Sequence, residues 1–185
     1  MTDDKKNLRR ALLKQRQALT AREWRDKSDR LCTHLQSSVQ FASAQTILTY
    51  FSFRQEPDLS SLWGERSFWG VPRCVGTNLV WHRWQPGYPL QSGAYGILEP
   101  HRDLPQIVPE SVDLILVPAV ACDDRGYRLG YGGGFYDRLF SLPQWAAKPS
   151  IAIVFEFARV ANVPIDSWDQ PLNAICTEAG YFQLN

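Results

Sequence analysis

Residues 128–138, RLGYGGGFYDR, hold the densest set of side chains capable of chemistry in this chain. Gly130, Gly132, Gly133 and Gly134 fall within five positions, with Arg128 ahead of them and Asp137 behind. Glycine has no Cβ, so such a run bares backbone to close approach, at an entropic cost of roughly 0.5–1 kcal/mol each in a regular element. Bared amides wrap anions, phosphate above all. Arg128 carries the planar fork that pairs bidentately with phosphate. Asp137 could reach a Mg²⁺ held by phosphates, and Phe135 and Tyr136 could flank a planar ligand. Each has a plainer reading. The loop could be a tight turn, Asp137 a charge complementing a helix N-terminus, Arg128 a solvated charge, and the aromatics packing groups. Two phosphate motifs are absent: no Lys-Ser/Thr follows the loop as Walker A requires, and Phe135 stands where G-x-G-x-x-G needs its last glycine. Asp123 and Asp124, ahead of Gly126, read as turn formers.

The loop lies between two elements that would position it. Residues 113–122, DLILVPAVAC, form a nearly continuous apolar run, the mark of a central strand covered on both faces. A helix is expected through 134–142, ended by Pro143. Ligands of open α/β sheets bind at the carboxyl ends of strands, which suits a loop placed there.

Elsewhere, KKNLRRALLKQRQALT (5–20) reads as an amphipathic basic helix with Leu8, Leu12 and Leu19 in one stripe. Thr20 and Glu23 make a capping box for a second helix, whose buried face continues through Trp24, Ser28, Leu31 and Leu35. Strands are expected at 46–51, 71–75, 79–84, 150–157 and 173–178, the last at the sheet edge. A short helix is expected within 57–69, and ordered coil through the Pro- and Gly-rich 85–111. Strands alternating with helices predict an α/β fold: an open mixed, largely parallel sheet flanked by helices in three layers, one compact domain over 1–185.

The 185 residues suffice to bury a core without disulfides. A net charge of +1 gives no global attraction to nucleic acid or an anionic membrane. The aromatic and arginine mixture in FWGVPR and WHRW is the one RNA-like feature. Cys32, Cys74, Cys122 and Cys176 are isolated from one another and from the three histidines, which argues against zinc. With no export signal and no apolar run near the ~20 residues of a membrane helix, a cytoplasmic protein with no membrane and no nucleic-acid partner is expected. No long apolar patch stands out, which suggests a monomer.

The segment DLILVPAVACDDRGYRLGYGGGFYDRLF resembles the signature of the 5-formyltetrahydrofolate cyclo-ligase family: apolar strand, proline, D-x-x-G-x-R-L-G turn, glycine loop ending in aromatic-Tyr-Asp, then helix. KKNLRRALLKQRQALT resembles the family's N-terminal basic helix, YFSFRQEPDL its strand with a glutamate beyond, and GAYGILEP its mid-chain aromatic segment. The resemblance implies a fold of the cyclo-ligase type, with small-molecule substrates, ATP as cosubstrate, Mg²⁺, and a reduced folate. It implies ATP contacts at Lys5, Lys6, Asn7, Leu8 and Arg9 of the helix 5–19, and at Arg128, Leu129, Gly130, Tyr131, Gly132, Gly133, Gly134, Phe135 and Tyr136. Folate contacts fall on Arg9, Phe51, Glu56 and Tyr95, catalytic roles on Arg128 and Tyr136, and metal ligation on Asp137 and Asn173. Two positions depart from the pattern. Gly133 replaces a lysine carried by many relatives, and Asn173 replaces a late aspartate. A folate- or nucleotide-binding protein without turnover is the alternative those departures raise.

Overall fold

The computed structural model describes residues 3–184. The first helix, α1 (Asp3–Gln17), presents Leu12 to the core, and its first turn carries Asp3 and Asp4, a favourable match to the positive end of the helix dipole. α2 (Ala21–Gln36) begins at the expected capping box: Thr20 accepts from the Glu23 amide while the Glu23 carboxylate accepts from the Thr20 amide. Ser28, Leu31 and Leu35 are buried as expected, and Trp24 is half-buried. A five-residue helix, α3 (Val39–Ser43), follows.

Strands β1 (Ile47–Leu48), β2 (Trp69–Val75), β3 (Asn78–Trp84), β6 (Leu114–Pro118), β9 (Ser150–Ile153), β10 (Ala174–Thr177) and β11 (Gly180–Gln183) make one seven-stranded sheet. Its order is β11-β10-β9-β6-β1-β2-β3. The four inner pairings are parallel, and the two outermost, β10 with β11 and β2 with β3, are antiparallel. The mixed, largely parallel sheet expected from the sequence is therefore present. α2 and α3 cover one face, with Leu31, Leu35 and Phe41 packed on Leu114, Leu116 and Ile151. α4 (Phe135–Phe140) and α5 (Pro143–Ala146) cover the other, with Leu139, Phe140 and Trp145 on Ile115, Val117 and Ala152. Alternate residues of β6 thus serve opposite cores, as the period-two pleat requires. α1 packs at the sheet end, where Leu12 meets Val120, Ala121, Leu129 and Val163.

The structure corrects several expected bounds. The apolar run 113–122 is not one strand: Pro118 ends β6, and Ala121–Cys122 (β7) turns away to pair with Arg128–Leu129 (β8) in a separate ribbon. Proline has no amide to continue a central ladder. Within 85–111, read as coil, Leu90–Ser92 (β4) and Leu98–Pro100 (β5) form a hairpin. Residues 173–178 are interior, because β11 lies outside them. Only Ile47 and Leu48 of 46–51 pair as a strand, and the helix in 57–69 is 3₁₀, Ser60–Glu65. Strand β9 ends at Ile153, and the chain then enters a 3₁₀ turn, Glu156–Ala158. Helix α4 stops at Phe140, and Pro143 starts a new helix instead of ending the old one. No described helix is long and apolar enough to cross a membrane.

Candidate functional site

The carboxyl ends of β1 and β6 open onto a cavity of about 540 Å³. Its walls come from far-apart segments: Tyr50, Phe51, Phe53, Arg54 and Glu56 after β1, Pro118 at the end of β6, and Arg128 through Asp137. The β2–β3 hairpin adds Cys74 and Leu79, the β4–β5 hairpin adds Tyr95 and Glu99, and Asp166, Trp168 and Asp169 close the far side. α1 contributes Lys5 and Arg9, one turn apart on one face.

The glycine loop takes the shape its composition allows. Gly132 and Gly134 sit at φ +100° and +66°, a region that L side chains rarely enter. At Gly130 a Cβ would meet nothing within 4 Å, so its bare face opens on free space. The Gly130 carbonyl accepts from Arg9 Nε at 2.8 Å, which ties α1 to the loop.

At the loop's end, buried Arg128 donates from Nη1 to the Gln170 carbonyl at 2.8 Å and from Nη2 to Asp137 Oδ1 at 2.7 Å. Its guanidinium lies over the rings of Phe140 and Tyr136. Burial lowers the guanidinium pKa, while Asp137 acts in the opposite sense. Lys5, also buried, donates to Asp166 at 2.7 Å and Asp169 at 2.5 Å. Burial works to lower its pKa, but the two carboxylates prevail and the ammonium is raised.

The opposite wall is more apolar. Glu56 is 4 % exposed, and its Oε2 accepts from the Phe53 amide at 3.1 Å. Burial pushes this carboxyl up to about 7, with the Arg16 charge, the Phe53 amide and the Tyr131 hydroxyl pulling it back. Phe51 meets Trp63 and Trp84 edge-on, with ring centroids 5.4 and 4.9 Å apart. Tyr95, 71 % exposed, stands edge-on to Phe135 at 6.3 Å. Burial and Glu99 lift the Cys74 thiol to about 11, which leaves it unreactive near neutral pH.

Most residues singled out in the sequence meet here. Lys5, Arg9, Phe51, Glu56, Tyr95 and the whole stretch from Arg128 to Asp137 line the cavity. Lys6 and Asn7 do not: both are exposed on the far side of α1, where Asn7 accepts from Arg10. Leu8 packs on the Leu12 core. Asn173 is a correction. It precedes β10, at the amino end of the sheet, where its Oδ1 accepts from the Ser150 amide and hydroxyl at 3.0 Å each. It therefore joins neither Asp137 nor the cavity, and its difference from aspartate has no bearing on this site.

Sequence reading missed Asp166, Trp168, Asp169, Glu99 and Arg16. The signal for the first three was present in PIDSWDQ, two carboxylates three apart around a tryptophan in a loop. Arg16 is one of six Lys or Arg residues in α1, and nothing in the pattern separates it from its solvated neighbours. The RNA-like reading of FWGVPR and WHRW fails on burial, since Trp69, Trp81 and Trp84 are all inside.

Among the described residues no cluster of three or more His, Cys, Asp or Glu side chains is arranged to hold a metal. Asp137 lines the cavity beside the glycine loop, paired with Arg128. Mg²⁺ commonly takes one or two carboxylates together with substrate phosphates, so this donor set fits an ion that arrives with a nucleotide.

Comparison with known proteins agrees with this geometry. The profile of the 5-formyltetrahydrofolate cyclo-ligase family matches residues 1–178. A 5-formyltetrahydrofolate cyclo-ligase of Haemophilus influenzae is 30% identical over 181 residues, covering 92% of this chain and 96% of the relative. Its Escherichia coli K12 counterpart is 31% identical over 171 residues, covering 88% and 93%. Among solved structures, the Aquifex aeolicus 5,10-methenyltetrahydrofolate synthetase superposes with a TM-score of 0.86 at 32% identity, covering 98% of this chain and 93% of that one. The chain belongs to the 5-formyltetrahydrofolate cyclo-ligase family.

Proposed function

We propose that this enzyme converts 5-formyltetrahydrofolate and MgATP to 5,10-methenyltetrahydrofolate, ADP and phosphate. The observation that carries the reading is the cavity itself. A phosphate-shaped end, glycine loop with Arg128 and Asp137, and a planar-ligand end, Phe51, Tyr95 and Glu56, share one cavity. Two substrates that must exchange a phosphoryl group need such a volume.

The chemistry explains the division of labour. A formamide oxygen is a poor leaving group. Transfer of the γ-phosphoryl group to it breaks the terminal P–O bond of ATP and releases ADP. The folate N10 lone pair then attacks the formyl carbon, the C–O bond breaks, phosphate leaves with that oxygen, and N10 gives up its proton. A magnesium ion bound with the nucleotide would supply charge neutralisation at the phosphates, held on the protein side by Asp137.

The protein's contribution is positioning and electrostatics. Bare backbone at Gly130 allows phosphate oxygens to approach amides that a side chain would block. Arg128 and Asp137 are already paired, and each exchanges its partner for an opposite charge when a magnesium phosphate enters. Desolvation of Arg128 strengthens its pull on the transferred group. Tyr136, half-buried beside Arg128, bounds the same end, and burial raises its hydroxyl pKa, so it acts there as a neutral donor. At the other end a Glu56 carboxylate suits the amide and amino donors of a pterin edge, while Phe51 and Tyr95 offer ring surfaces.

The test is an absorbance assay with purified protein, (6S)-5-formyltetrahydrofolate and ATP, following the near-ultraviolet band of the methenyl product. The band should grow only when ATP and Mg²⁺ are both present. R128M should lower kcat by about 10²–10³-fold, the usual cost of removing one electrostatic contact to a transition state. Product formation without ATP, or full activity in R128M, would refute the proposal.

A further inference from the structure

Arg16 lies in the last turn of α1, 4 % exposed, yet no carboxylate lies within ion-pair distance among the described residues. A buried guanidinium without a paired anion is costly and calls for a reason. Its donors reach three separate segments around the cavity. Nε donates to the Arg54 carbonyl at 3.1 Å, Nη1 to the Ala119 carbonyl at 3.4 Å, and Nη2 to the Tyr131 hydroxyl. Its Cζ also lies 5.5 Å from the Tyr131 ring centroid.

The Tyr131 hydroxyl also acts on Glu56, drawing its carboxyl pKa down. Because its oxygen already accepts from Arg16, its one proton is free to turn toward an acceptor such as the Glu56 carboxylate. The Arg54 contact matters for the same carboxylate. Arg54 and Gln55 both sit at positive φ, +49° and +57°, a strained pair of non-glycine residues immediately before Glu56. Arg16 holds the first by its carbonyl, and the Gln55 side-chain amide donates to the Leu19 carbonyl in the turn that follows α1. Among the described residues Tyr50 and Tyr136 also face Glu56 and supply no positive charge, and Arg54 lays its guanidinium over the Phe53 ring.

We propose that Arg16 is a positioning residue that, through the Tyr131 hydroxyl and the Arg54 carbonyl, holds Glu56 as a charged acceptor aimed at the folate. The proposal rests on the folate reading above. It gives the N-terminal helix a role at the folate end of the cavity as well as at the glycine loop.

The experiment is calorimetric titration of (6S)-5-formyltetrahydrofolate, without nucleotide, from pH 6 to 9, on wild type, Y131F, R16Q and the double variant. Wild-type affinity should weaken as pH falls through about 7, where Glu56 takes up its proton. In Y131F and R16Q a supporting donor or charge is gone, so this midpoint should move upward. A tenfold rise in proton affinity would weaken binding about fivefold at pH 7. The double variant should be little worse than the weaker single one, as expected for one chain of contacts. Tyr131 is 39 % exposed, so Y131F decides the matter should R16Q fail to fold. An unmoved midpoint in Y131F, or additive losses, would overturn the inference. Absence of folate binding by wild type would overturn the functional reading beneath it.

Discussion

At the scale of single residues, Glu56 and Arg128 show what the cavity asks of its charges. Arg128 keeps a counter-charge in Asp137, whereas Glu56 accepts a hydrogen bond from the Phe53 amide and, among the described residues, has no ion pair. Its carboxyl is raised from 4.5 to about 7, first by burial. The folded protein therefore binds this proton more tightly than the unfolded chain does, and between those pH values unfolding releases it. Stability from this group is present at low pH and is lost as pH rises from about 4.5 through about 7. E56Q keeps the acceptor for the Phe53 amide and removes the titration. It should be more stable than wild type by about 2–3 kcal/mol at pH 8 and nearly equal at pH 4.5. Thermal melts across that range check this, and a constant difference would show that Glu56 does not titrate as described. The same substitution should weaken folate binding, a trade of stability for function common at active sites.

Elements decide which of these residues meet. α1 brings Lys5 and Arg9 to the cavity wall, and Arg16 to the Arg54 and Tyr131 segments that line it, because Leu12 is seated among Val120, Ala121, Leu129 and Val163. L12A should cost about 2–5 kcal/mol locally. Amide hydrogen exchange should quicken in α1 while α2 stays protected, and the KM for ATP should rise. A loosened α1 with unchanged KM would show that the helix is structural only. The element scale is also where the sequence was most and least legible. The glycine loop could be read because its chemistry is contiguous, and the Thr20 capping box because its partners lie three residues apart. The β4–β5 hairpin was missed because proline and glycine mark turns without saying whether the residues between them pair. The break after Pro118 was hidden inside an apolar run, since β6 and β7 are equally buried though they belong to different ladders. Arg16 and the Asp166–Asp169 pair acquire their roles through contacts 38 to 164 residues apart, which no local pattern encodes.

For the whole molecule, the parallel sheet explains why one cavity can hold two substrates. The carboxyl ends of β1 and β6 point the same way, so the loop ending in Glu56 and the path to the glycine loop leave the sheet side by side. The antiparallel hairpins and α1 then wall the opening, and a phosphate site and a planar-ligand site become neighbours. The central claim is that the γ-phosphoryl group passes directly to the formyl oxygen within this volume. Its most direct test uses (6S)-5-formyltetrahydrofolate carrying ¹⁸O in the formyl group, with the released phosphate analysed by the isotope shift of its ³¹P resonance. The account predicts one ¹⁸O atom in each phosphate formed. Unlabelled phosphate, with the methenyl product still accumulating at full rate, would contradict it.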